Sequence, residues 1–403
     1  MCKIRNVVAV SLFGLVLSGS VVAQEEQGIS KDKIRIGMFA PLSGASMAYG
    51  FDPANAARMY YDKVNAEGGV HGRKLEIVIE DDRCNANDMV AAIKKLVEQD
   101  KVFLLNGGSC SAAVIGVKET VERYKIPYLM LNASADAILY PPSPYIYGAF
   151  SITQHAVGGS MVAFGVEHLK AKTIAYINHD DAYGSWNWET AEYQSKLTNT
   201  KISAQSISPT IVDVTAPLLK LKATNPDVLL VTTYARPAAL IVKKAFELGF
   251  AKPIVLAVNG TADLKQLAEN VGNMDAFKNV YVQDVLADAP GGPKLKWIYD
   301  LYKKSYPELA AKPGYPQTYM PYGINPAMTV VKALQLAGPN PTRQKVLDAL
   351  SNLKFDTGVQ ASPVEFGPND HAAQESAIYL KFDGSKQTLI PGTFQSAWKY
   401  SPK

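Results

Sequence analysis

The feature that most constrains this chain is an alternation of short β-branched or apolar runs with longer helical patterns, which runs through and then starts again. IRIGMF (34–39), LEIVIE (75–80), VFLLN (102–106) and PYLML (127–131) are separated by helical stretches near 53–65, 88–99 and 112–123. Strands that alternate with helices in this way pair in parallel and carry helices on both faces, so the segment reads as a doubly wound sheet. NAEGGVHGRK, rich in glycine, supplies a turn between the first helix and the second strand. The plan then repeats with TIAYIN (173–178), a helix near 185–197, KISAQSIS, a short helix near 216–223, VLLVTT (228–233), a helix near 237–248 and PIVLAV (253–258). Two α/β units of one plan are therefore expected. The final third, with helices near 294–305, 322–336 and 343–350 and a strand at SAIYLKF, is too sparse for a third unit and is expected to complete the other two.

Length agrees with two lobes, because 403 residues exceed what one ordinary core organises. The first 23 residues pair basic Lys3 and Arg5 with an apolar stretch from Val7 to Leu17 and a small-residue end at Ala23. That is the pattern of a secretory signal peptide, cut near Ala23. Ser11, Gly14 and Ser18 interrupt the run, which is too short for a membrane span. Its removal takes two basic residues, so the formal charge drops from +4 to about +2. So small an excess argues against nucleic-acid or membrane-surface partners. Two cysteines are left in the exported chain, Cys84 and Cys110, an even number in an oxidising compartment. Pairing would close a loop of about 26 residues and stabilise the fold by roughly 3 kcal/mol. The alternatives are a free thiol exposed to oxidation, or a nucleophile for which no base or family signature surrounds Cys110.

In open α/β sheets ligands sit beyond the C-terminal ends of the strands. The segments there are APLSGASMAYG, GGSCSAA, NASAD, HDDAYG, TYAR and NGTAD. They are rich in hydroxyls, small residues and tyrosine and poor in convergent acids, bases and metal ligands. Phosphate loops of the G-x-x-x-x-G-K-[ST] and G-x-G-x-x-G types are missing, as are H-E-x-x-H and G-x-S-x-G. No cofactor is expected. In GGSCSAA, Gly107 and Gly108 permit close backbone approach, and Ser111 is expected at the N-cap of the next helix, where amides and the helix dipole favour a carboxylate. Capping alone would also explain Ser111. In HDDAYG, His179, Asp180 and Asp181 make a poor metal site, since three consecutive loop side chains seldom supply coordination geometry. Asp181 is expected to cap a turn or helix while Tyr183 faces the cleft.

IRIGMFAPLSGASMAYG and VNAEGGVHGRKLEIVIEDDRC together resemble the opening strand, the P-L-S-G loop and the N-x-x-G-G-x-x-G-x-x-L…D-D-x-C segment of the type I periplasmic solute-binding proteins of the leucine/isoleucine/valine-binding class. The resemblance implies two doubly wound Rossmann-like lobes joined by a multi-strand hinge. It divides the chain at approximate boundaries, with 24–152 and 284–366 in the first lobe and 153–283 and 367–403 in the second. It implies a disulfide between Cys84 and Cys110, in agreement with the count. It gives Ser111 the ligand carboxylate, places Ser134 with Asn132 and Ala133 in the loop that follows the fourth strand, and makes Tyr49, Tyr183 and Tyr234 cleft tyrosines.

One position departs from that pattern. Amino-acid binders of the class hold the ligand ammonium with an acidic residue, and the matching position here is Asn259, with Asp263, Asp284 and Asp288 as substitutes nearby. An amide does not offset a buried ammonium. Arg236, two residues after Tyr234, together with Trp186 and Trp188 would build an aromatic, partly basic second wall if the rings faced the cleft, although helix packing is the favoured reading of the tryptophans. The expected function is capture of a small carboxylated solute, aromatic or otherwise hydrophobic, by a monomeric periplasmic protein that hands it to the membrane permease of an ABC importer. A branched-chain or other hydrophobic amino acid is the alternative ligand, and a sensor subunit or an exported enzyme the less favoured classes.

Overall fold

The computed structural model describes residues 26–44, 46–258, 264–289, 291–312, 315, 319–374 and 376–398. The expected leader at 1–23 lies outside them. The first unit runs β1 Lys33–Ala40, α1 Phe51–Ala66, β2 Lys74–Asp81, α2 Ala86–Lys94, β3 Leu104–Gly107, α3 Ser111–Tyr124, β4 Tyr128–Met130, α4 Asp136–Leu139 and β5 Ile146–Ile152. The second runs α5 Gln154–Glu167, β6 Thr173–His179, α6 Ala182–Leu197, β7 Lys201–Ile207, α7 Thr215–Lys222, β8 Val228–Thr232, α8 Ala235–Glu247, β9 Ile254–Leu256, α9 Leu264–Val271 and β10 Val280–Asp284. The remainder forms α10 Lys296–Ser305, α11 Pro307–Ala310, α12 Ile324–Ala337, α13 Arg343–Leu350, β11 Lys354–Phe355, β12 Val364–Glu365, β13 Ala372–Gln374, β14 Ser376–Phe382 and β15 Gln387–Gln395.

The six-stranded sheet has the order β13-β5-β4-β3-β1-β2, and the seven-stranded sheet β15-β14-β10-β9-β8-β6-β7. Within each, the first five strands of the unit pair in parallel. Both units share one order, second-first-third-fourth-fifth, so each has a topological switch point between its first and third strands. In the second unit β14 and β15 extend the edge antiparallel. The two α/β lobes thus follow the plan that the repeated alternation predicts.

The chain crosses between the lobes three times: from Ile152 into α5, after Asp284, and between Gln374 and Ser376. The segment after β10 pairs with the one before β12, through the Ala287 N–H to Val359 (2.9 Å) and the Ala361 N–H to Val285 (2.8 Å). The return to the second lobe falls later than the expected break between 366 and 367, because β13 still pairs in parallel with β5. Helices α10 to α13 rejoin the first lobe. Tyr302 Oη donates to Asp52 Oδ1 on α1 at 2.7 Å, and the buried Asn325 of α12 donates to the carbonyl of Ala149 on β5 at 2.6 Å.

Strand β5 and helix α5 carry no sequence periodicity that would announce them. Every residue of α5 from His155 to Gly165 is buried, and a helix buried all round shows no amphipathic stripe. It packs in a core that runs through the crossovers, from Ala56 and Met59 on α1 past Phe150 and Val157 to Ile174 and Val228.

Candidate functional site

A cavity of about 270 Å³ opens between the lobes at the C-terminal ends of the strands, near the lower end of the range of small-molecule sites. On the first-lobe side it is lined by Tyr49, Ser109, Ser111, Asn132 and Ser134. These come from the loops after β1, β3 and β4, so the switch point of the sheet supplies the wall. Ser111 is the first residue of α3, and Cys110 is the N-cap residue, with no side-chain cap on the helix. The expectation that Ser111 caps α3 therefore fails by one position. Its Oγ instead accepts the backbone N–H groups of Ser134 and Ala135, each at 3.2 Å. That arrangement locks the β3 loop to the β4 loop and leaves the hydroxyl proton of Ser111 to donate elsewhere. The uncapped first turn of α3 adds backbone donors and the positive end of a 14-residue helix beside it.

Asn132 Nδ2 donates to the Tyr49 carbonyl at 3.0 Å, which ties the β1 loop into the same wall. Its Oδ1 and the Ser109 Oγ are buried without a hydrogen-bond partner among the described residues. Groups of that kind are costly unless something fills the space between them. The glycines in GGSCSAA serve the scaffold: a Cβ on Gly107 would stand 2.6 Å from the Phe39 carbonyl oxygen, and Gly108, at φ +79°, would put one 2.3 Å from Tyr128 Oη. Close approach is needed, but to the neighbouring strands. Cys84 and Cys110 form a disulfide with Cα atoms 5.4 Å apart, which anchors the loop of Ser109 and Ser111 to the loop after β2.

The second lobe contributes Tyr183, Tyr234 and Val258, again from loops after β6, β8 and β9. The two tyrosine rings stack, with centroids 5.2 Å apart and planes at 21°. His179 lies edge-on behind Tyr234 at 4.6 Å. It is fully buried, and burial pushes its imidazole below the usual histidine range. Asp181 caps α6 by accepting the Gly184 N–H at 2.9 Å. The crossovers and the returning segment close the rest with Phe150, Ile152, Val285, Tyr319 and Tyr322. Phe150 packs on Tyr322 at 4.3 Å, Tyr322 on Tyr319 at 5.4 Å, and Tyr319 on Tyr49 at 5.1 Å.

Of the residues singled out from sequence, the cavity brings together Ser111, Ser134, Asn132, Tyr49, Tyr183 and Tyr234. Ala133 is buried in the first-lobe core, and Arg236 is exposed on α8; neither lines the cavity. Asn259 and Asp263 lie outside the described residues. Asp284 is fully buried and accepts the N–H groups of Val285 and Leu286, and Asp288 accepts those of Ala289 and Lys294. No charged side chain is among the described lining residues. The tryptophans pack instead of lining the site: Trp188 lies 5.5 Å from the Tyr176 ring, and Trp186 4.5 Å from His155. Sequence reading missed Ser109, Phe150, Ile152, Val258, Val285, Tyr319 and Tyr322. Only Ser109 and Val258 stood beside segments marked by their position after a strand; the others come from crossovers that no local pattern announces.

A family model for periplasmic binding proteins matches residues 33–387. The chain belongs to the periplasmic binding protein family. A Leu/Ile/Val-binding protein homolog of Brucella abortus is 24% identical over 376 residues, covering 89% of this chain and 91% of its own length. The branched-chain amino acid substrate-binding protein LivJ of Streptococcus pneumoniae, solved with isoleucine, superposes with a TM-score of 0.69 at 20% identity, covering 89% of this chain and 99% of that one. A solute-binding protein from R. palustris, solved with 4-hydroxybenzoate, gives a TM-score of 0.71 at 18% identity and covers 91% and 98%. Among the described residues no group of three His, Cys, Asp or Glu could hold a metal ion, and no helix is long and apolar enough to cross a membrane.

Proposed function

We propose that this binding protein captures a small aromatic or other hydrophobic carboxylate between its lobes, in the periplasm after cleavage of a leader near Ala23, and delivers it as a monomer to the permease of an ABC importer. The observation that carries this reading is the make-up of the wall. Six aromatic side chains surround a cluster of serine hydroxyls and one amide, and no described lining side chain is charged. The hydroxyl of Ser111 and the uncapped start of α3 offer donors to a carboxylate. An α-ammonium set beside that carboxylate would need an anionic partner, because an unpaired buried charge costs several kcal/mol. Flat rings meet rings favourably, with roughly 0.5–1.5 kcal/mol per well-placed pair beyond area burial. The similarity to a protein solved with 4-hydroxybenzoate is consistent with the same class, and that to a protein solved with isoleucine marks the competing one. Calorimetric titration of the mature protein with benzoate, cinnamate, phenylalanine and leucine tests the reading. Benzoate or cinnamate should bind more tightly than either amino acid, and tight leucine binding with no response to the aromatic acids would overturn it.

A further inference from the structure

The cavity wall is polar in two places, and only one of them belongs to the carboxylate site. Tyr322 lines the cavity and is 7% exposed, and its hydroxyl is buried with no hydrogen-bond partner among the described residues. Val285 lines the cavity beside it, and the residue before Val285 is Asp284. Asp284 is 0% exposed; its Oδ1 accepts two backbone N–H groups, while its Oδ2 is buried and without a partner among the described residues. The Asp284 charge reaches both Tyr322 and Tyr319, where it adds to burial in holding the phenols protonated.

The position of this second polar place follows from the sheet. Ser111 follows β3, whereas Phe150, the ring on which Tyr322 packs, lies on β5. β3 and β5 are separated by β4 alone, so the strands that lead to the two places lie two spacings apart, about 10 Å. An α-ammonium, one carbon from its carboxylate, does not reach across that distance. A group at the far side of a ring does. A phenolic oxygen with a carboxyl behind it repels a second anion and attracts a hydrogen-bond donor, and leaving such buried polar atoms unpaired is what makes a site reject a ligand that lacks the matching group.

Resting on the aromatic-carboxylate reading above, we propose that Tyr322, supported by Asp284, is a specificity-determining residue that selects aromatic carboxylates bearing a hydroxyl on the side of the ring away from the carboxylate.

The test is calorimetric titration of the mature protein and of Tyr322→Phe with benzoate and 4-hydroxybenzoate, with leucine as a third ligand. The wild-type protein should bind 4-hydroxybenzoate at least tenfold more tightly than benzoate, and the ratio should fall towards one in Tyr322→Phe. Asp284→Asn is the second variant, should Tyr322→Phe not fold, and it should lower the ratio as well. Equal binding of the two acids by the wild-type protein, or a ratio unmoved in both variants, overturns this inference and leaves the aromatic-carboxylate function standing. Leucine binding with no response to either acid overturns both.

Discussion

Replacing Cys84 and Cys110 together by serine should destabilise the first lobe without abolishing the site. The bridge spans 26 residues of sequence. The loop-closure entropy removed from the unfolded chain then corresponds to about 3.5 kcal/mol at 25 °C. For a domain of roughly 200 residues, each kcal/mol moves the midpoint by about 2–4 °C, so the first lobe should melt about 7–14 °C lower. Binding should survive, because Ser111 is held by the N–H groups of Ser134 and Ala135, and Asn132 by the Tyr49 carbonyl, all independent of the bridge. Calorimetric melting of both proteins, each with and without a reductant, reads the effect. The wild-type protein should shift on reduction and the double variant should not. Two thiols labelled in the denatured, unreduced wild-type chain, or a melting difference below about 2 °C, would refute the reasoning.

Three further outcomes are expected. Ser111→Ala should weaken every carboxylate ligand by about 1–3 kcal/mol, since it removes a donor to a charged group and unlocks the β4 loop as well; titration with an unaffected Kd would show that the carboxylate sits elsewhere. Burial pushes the Asp284 carboxyl up to about 6 from an ordinary 3.8, so the stability tied to its protonated form is whole below about pH 4 and is lost as pH rises through 6. Asp284→Asn should therefore be more stable than the wild-type protein by about 3 kcal/mol at pH 7 and equal to it near pH 4, and melts across that range that run parallel would contradict the assignment. Gly108→Ala, at φ +79° with its Cβ 2.3 Å from Tyr128 Oη, should lower stability by about 2 kcal/mol or more, read by urea unfolding, with Gly44→Ala, which has open space around it, losing less.

The sequence by itself determined the two-unit α/β plan and half of the cleft. Strand and helix periods are local signals, and the rule that ligands sit beyond the strand ends turns them into a list of loops. Ser111 and Tyr183 were legible for that reason, Ser134, Asn132, Tyr49 and Tyr234 through the resemblance to a known family, and the pairing of Cys84 with Cys110 through an even count together with that resemblance. Tertiary structure decided what no local pattern contains. Helix α5, buried from His155 to Gly165, has no amphipathic stripe to read. Tyr319 and Tyr322 reach the cleft only because α12 returns to pack beside β5, close to 175 residues along the chain from Phe150, the ring that Tyr322 meets. The same packing settled Trp186 and Trp188 on helix α6 against His155 and Tyr176 rather than in the cleft. Which side chain of a loop faces a cavity depends on what the rest of the chain places opposite it, and that is a property of the closed core rather than of any segment.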